Sequence, residues 1–132
     1  MPSSPTSSRI PSNGPQKRLT PLQWLRYGPF LAQVVVTRRC NLDCGYCSEF
    51  DKVSDPVPTD VLLERIEKLH SLRCWAVCLT GGEPTLHPDL AVLIREMRSL
   101  GIRRCGMITN GLRLTRGLIE SLNACGLTDL QI

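Results

Sequence analysis

Cys40, Cys44 and Cys47 stand in the spacing C-x-x-x-C-x-x-C, directly after the apolar, β-branched run Val34-Val35-Val36. Thiolates are soft ligands, suited to zinc and to iron–sulfur centres. Three of them within eight residues can hold one metal centre, but they are one short of the four that usually complete a four-iron cluster. An iron without a protein ligand can coordinate a small molecule, so the count points to chemistry at the cluster and away from electron storage. The alternative is a zinc site completed by His87 or another cysteine. Zinc motifs more often pair two C-x-x-C knuckles, which favours the iron–sulfur reading. Two further stretches stand out, Gly81-Gly82-Glu83-Pro84 and Asn110-Gly111. Each alone is an ordinary turn sequence.

The elements that must position these stretches follow from periodicity. Phe30 to Val36 is nearly continuous in apolar residues, which predicts a strand buried on both faces. Pro58 and Thr59 open a helix whose Val61, Leu62, Ile66, Leu69 and Leu72 fall on one stripe. Trp75 to Thr80 is a second strand. Pro88 starts a second helix with Leu90, Leu93, Ile94, Met97 and Leu100 turned inward and Gly101 at its end. Cys105 to Thr109 is a third strand, Thr115 to Cys125 a third helix closed by Gly126, and Leu127 to Ile132 a fourth strand. Regular strand–helix alternation predicts an α/β fold of parallel strands joined by right-handed crossovers. In such folds ligands bind at the carboxyl ends of the strands. The cysteines follow the first strand, Gly81 to Pro84 the second and Asn110 the third, so all three stretches are expected on one edge.

With that order on that alternation, the chain resembles the radical S-adenosylmethionine (radical SAM) enzymes over roughly residues 30 to 132. Cys40, Cys44 and Cys47, with Tyr46 before the last cysteine, match the family's cluster motif, and Gly81 to Pro84 its next strand-end motif. The resemblance implies a partial (β/α)6 TIM-like barrel, of which about four strands are present here. It implies a four-iron, four-sulfur (4Fe–4S) cluster on the three cysteines, with the amino and carboxylate groups of S-adenosyl-L-methionine on the fourth iron. Reductive cleavage would then yield a 5′-deoxyadenosyl radical that abstracts hydrogen from a substrate. The expected cofactor contacts are Gly81, Gly82 and Pro84 through the turn, Glu83 as an acceptor for the methionyl ammonium, Tyr46 near the adenine, and Asn110 beside the pocket. A one-electron reductant such as flavodoxin or ferredoxin is the implied partner. The substrate is unknown.

Composition narrows the setting. The chain has 132 residues, 42% hydrophobic and 21% charged, consistent with one globular domain. No apolar run is long enough to cross a bilayer. Seven cysteines, with no signal peptide evident, suit a reducing, cytoplasmic setting and metal-binding thiols better than a disulfide framework. The net charge of +4 is uneven: the first 42 residues carry six basic residues and no acid, the remainder ten basic against twelve acidic. Its basic residues lie among Ser and Pro with little aromatic interleaving, so a solvated tail is preferred over a nucleic-acid interface. Residues 1–18 are expected to be disordered, and 19–29 to form a short lead-in helix capped by Thr20 and Pro21. Cys74, Cys78, Cys105 and Cys125 are read as core packing, and His87 as helix-entry structure. Because the family's barrel has six strands, the chain is expected to be incomplete beyond Ile132. The alternative function is therefore a catalytically incompetent fragment or a zinc- or cluster-binding module.

Overall fold

The structure, a computed structural model, describes residues 20, 28–48 and 50–132. The expected tail over 1–18 and nearly all of the expected helix over 19–29 lie outside the described residues.

Four strands, β1 (Leu31–Thr37), β2 (Ala76–Gly81), β3 (Arg104–Ile108) and β4 (Asp129–Gln131), form one parallel sheet in the order β1-β2-β3-β4. Helices α1 (Thr59–Ser71), α2 (Leu90–Ser99) and α3 (Arg116–Cys125) are the crossovers. This is the α/β alternation expected of a partial barrel. Val34, Val36, Val77, Leu79, Cys105 and Met107 face the helices and are buried. They meet Leu62 and Ile66 of α1, Leu93, Ile94 and Met97 of α2, and Leu122 of α3 in a single core. Removing these side chains from water supplies the main favourable term for the fold.

One expectation about β1 is overturned. Its burial alternates along the strand, with Leu31 at 53% and Val35 at 45% exposed beside fully buried Val36. Among the described residues the helices cover only one face of the sheet, so alternate side chains of even a continuous apolar run point to the other, open face. Cys78 lies on that open face too, opposite Gln33 and Gly106 in the strand register, and is half-buried instead of in the core. Cys74 and Cys105 are core residues, 2% and 0% exposed. Leu72, placed on the α1 stripe by its spacing, is 46% exposed because the helix ends at Ser71 and the chain turns away.

Helix ends are set by local chemistry. Thr115 caps α3 by accepting from the Leu118 N–H at 3.2 Å, and Gly126 ends it in the left-handed conformation at φ 105°. No helix among the described residues is long and apolar enough to cross a membrane.

Candidate functional site

The carboxyl ends of β1, β2 and β3 do converge, and the contacts that join them are specific. Past β1, the Cys40 N–H donates to the Asp51 carbonyl and the Asp51 N–H to the Arg38 carbonyl, each at 2.9 Å, closing the cysteine loop at its base. The Asp51 carboxylate accepts from Val53 N and Ser54 N at 3.0 and 2.7 Å and from the Ser54 hydroxyl. The Ser54 contacts, with smaller help from Arg38, hold the Asp51 carboxyl below the usual carboxylate range.

The Gly81-Gly82 turn meets this loop backbone to backbone. Gly82 N donates to the Thr37 carbonyl at 2.8 Å, and Glu83 N to the Arg39 carbonyl at 2.9 Å. Gly81 has φ +136°, and a Cβ there would collide with the Thr37 carbonyl oxygen. At Gly82 a Cβ would strike the Arg38 and Arg39 carbonyls. The two glycines, expected to admit a ligand, also permit the close approach of the cysteine-loop stem. Gly82→Ala is therefore expected to cost about 2–3 kcal/mol by overpacking. Urea unfolding beside Gly117→Ala checks this, since a Cβ at Gly117 meets nothing within 4 Å and no loss is expected.

Glu83, expected as a cofactor contact, is held by the ends of two strands. It is fully buried. Its Oε1 accepts from Thr85 N at 3.0 Å, Thr85 Oγ1 at 2.6 Å and Thr109 Oγ1 at 2.7 Å, while Oε2 accepts from Asn110 N at 2.8 Å. Burial pushes the carboxyl up, but these four donors together outweigh it and hold Glu83 ionised, below its ordinary value. The side chain also caps the 3₁₀ turn Pro84–Leu86, with Pro84 buried at its first position. Glu83 is thus a brace between the ends of β2 and β3.

Asn110 turns its side chain to the cysteine loop. Its Nδ2 donates to Asn41 Oδ1 at 2.8 Å and lies 3.9 Å from Cys40 Sγ. Cys40 Sγ also accepts from Leu42 N at 3.4 Å. Cys40 and Cys44 are half-buried and Cys47 is exposed, with Cys47 N bonded to the Cys44 carbonyl at 2.9 Å in a tight turn. Tyr46 is 92% exposed, and a hydrogen bond to Cys44 raises its hydroxyl pKa. Among the described residues no three His, Cys, Asp or Glu side chains converge to metal-holding distance. The donor set nonetheless fits an iron–sulfur centre, with three thiols on one loop.

His87 does not fit the zinc alternative. It is 4% exposed, its Nε2 is 2.9 Å from the Val57 carbonyl, and its Nδ1 accepts from Asp89 N at 3.1 Å. Both ring nitrogens are engaged in joining the segment before α1 to the entry of α2, the structural role expected of it.

Sequence reasoning missed Thr37, Thr85 and Thr109, all buried, and Asn41. The threonines carried a signal. Thr37 and Thr109 are the first hydroxyls after the apolar runs of β1 and β3, where the sheet passes from packing to the site. Asn41 carried none.

A family model described as the radical SAM superfamily matches residues 34–132. A GTP 3′,8-cyclase of Marinobacter nauticus is 36% identical over 124 residues, covering 89% of this chain and 36% of the relative. A PqqA peptide cyclase of Bradyrhizobium diazoefficiens is 32% identical over 107 residues, covering 79% and 28%. The crystal structure of Streptococcus suis SuiB bound to S-adenosylmethionine superposes with a TM-score of 0.64 at 20% identity, over 95% of this chain and 32% of that one. The chain spans about a third of the length of these relatives. With the family model covering most of the sheet, the cysteine loop and both strand-end turns, the chain belongs to the radical SAM superfamily.

Proposed function

We propose that Cys40, Cys44 and Cys47 hold a 4Fe–4S cluster, and that S-adenosyl-L-methionine binds against it over the ends of β2 and β3. What carries this reading is the tying of the cysteine loop to the Gly81–Pro84 turn and to Asn110 by the contacts above. A cluster on that loop would sit beside the strand-end turns. When bound, the cluster supplies one electron for reductive cleavage of the sulfonium, with a flavodoxin- or ferredoxin-type protein as the source.

The residues of the chain have defined tasks in this scheme. Gly81 and Gly82 present backbone carbonyls to the methionyl ammonium. Glu83 and Pro84 hold that turn rigid from beneath. Tyr46, on the loop's exposed tip, lies toward the adenine. The substrate approaches from the open sheet face, where a groove of about 230 Å³ is lined by Gln33, Cys78, Gly106 and Asp129 among others.

The test is S-adenosylmethionine added to the anaerobically reconstituted, reduced chain. The expected results are a changed electron paramagnetic resonance signal on binding and release of 5′-deoxyadenosine. Binding without release would support the alternative, a module that holds cluster and cosubstrate without turnover. An unchanged signal would overturn the binding proposal.

A further inference from the structure

We propose that Asn110 is a positioning residue for Cys40, holding the cysteine loop to the end of β3 and drawing electron density from the Cys40 sulfur. The second half of this inference rests on the cluster reading above; the first half does not.

The Asn110 side chain is held on every side. Its backbone N–H is fixed by the buried Glu83 carboxylate at 2.8 Å, and its Oδ1 accepts from Leu112 N at 3.1 Å. That second bond orients the amide, because the oxygen must face Leu112 and the NH2 group must face the loop. One N–H then meets Asn41 Oδ1 at 2.8 Å, leaving the other for Cys40 Sγ at 3.9 Å. A residue expected to meet the cofactor directly spends both amide donors on the residues that carry the first thiol. Its neighbour Gly111 N, bonded to Thr109 Oγ1 at 3.2 Å, and Thr109 Oγ1, bonded to Glu83, keep the same corner closed.

Groups that hydrogen-bond a metal ligand fix its orientation and tune the metal. For iron–sulfur centres, hydrogen bonds to sulfur are among the determinants of reduction potential. A donor on Cys40 Sγ offsets part of the negative charge that builds on the sulfurs when the cluster is reduced, and so favours the reduced state. Its removal makes the potential more negative.

Two readouts test this on the full chain. In the metal-free protein, alkylation of individual cysteines is followed by mass spectrometry. Asn110→Ala should slow the reaction of Cys40 about fivefold, because the lost donor, one hydrogen bond, no longer stabilises the attacking thiolate, with Cys47 unchanged. Asn110→Asp, which keeps the side-chain shape but carries no N–H, should slow it too and keeps the test available if Asn110→Ala fails to fold. Equal Cys40 rates in parent and variants would overturn the positioning role. In the reconstituted protein, a redox titration should give Asn110→Ala a more negative potential at unchanged iron and sulfide content. An unshifted potential would overturn the electronic half. A parent chain that takes up no cluster would instead count against the proposed function, and the alkylation result would still stand.

Discussion

Replacing Glu83 with alanine is expected to destabilise the chain by about 3–5 kcal/mol, because four donors converge on one buried carboxylate and all would be left without a partner. At roughly 4 °C per kcal/mol, between the values for smaller and larger domains, the melting temperature should fall by about 12–20 °C. Thr109→Val removes one hydroxyl at similar shape and should cost about 1–2 kcal/mol. The pH dependence has a definite sign. The folded-state pKa of Glu83 lies below its unfolded value, about 4.3, so its stabilisation is complete above that value and is lost as pH falls through the folded pKa. Asp51 shifts in the same direction. Denaturation curves of the metal-free chain should therefore show stability falling below about pH 4, with a shallower fall in Glu83→Gln. Equal melting temperatures for parent and Glu83→Ala would show that the brace contributes nothing.

The second large effect separates six of the seven cysteines into two groups. Cys40→Ala, Cys44→Ala and Cys47→Ala should each abolish cluster retention, because the loop has no other thiol and His87 has both nitrogens engaged elsewhere. Cys74→Ala and Cys105→Ala should keep the cluster and cost about 1–2 kcal/mol each as small core truncations. Burial raises the pKa of both thiols, which keeps them protonated and poor metal ligands at neutral pH. Cys78→Ala, on the open sheet face, should leave cluster content unchanged. Iron and sulfide assays after reconstitution, beside urea unfolding of each variant, check all of these. Loss of iron in Cys74→Ala or Cys105→Ala at intact fold would point to a second metal site.

The parts that were legible in the sequence are those governed by local spacing. The α2 stripe of Leu90, Leu93, Ile94 and Met97 is buried as its period required. The Thr115 and Gly126 caps bound α3 as their chemistry predicts. The convergence of three loops followed from strand–helix alternation alone. Whether Val35 is covered was not legible, because a continuous apolar run does not say how many faces of its sheet are packed. The work of Glu83 and Gly82 was also hidden. A glycine or a carboxylate in a turn is equally suited to a ligand and to neighbouring chain, and nothing in the turn's own sequence reports that the Arg38–Arg39 carbonyls and Thr109 lie against it. The Asn41–Asn110 contact joins residues 69 apart, and no periodicity reports such a pair.

The central claim is that the three thiols of the loop hold an iron–sulfur cluster, and the metal content of the anaerobically reconstituted chain tests it most directly. The expected result is about four irons and four sulfides per chain, with broad visible absorption that disappears in Cys44→Ala. Stoichiometric zinc without sulfide, or iron that survives Cys44→Ala, would contradict it.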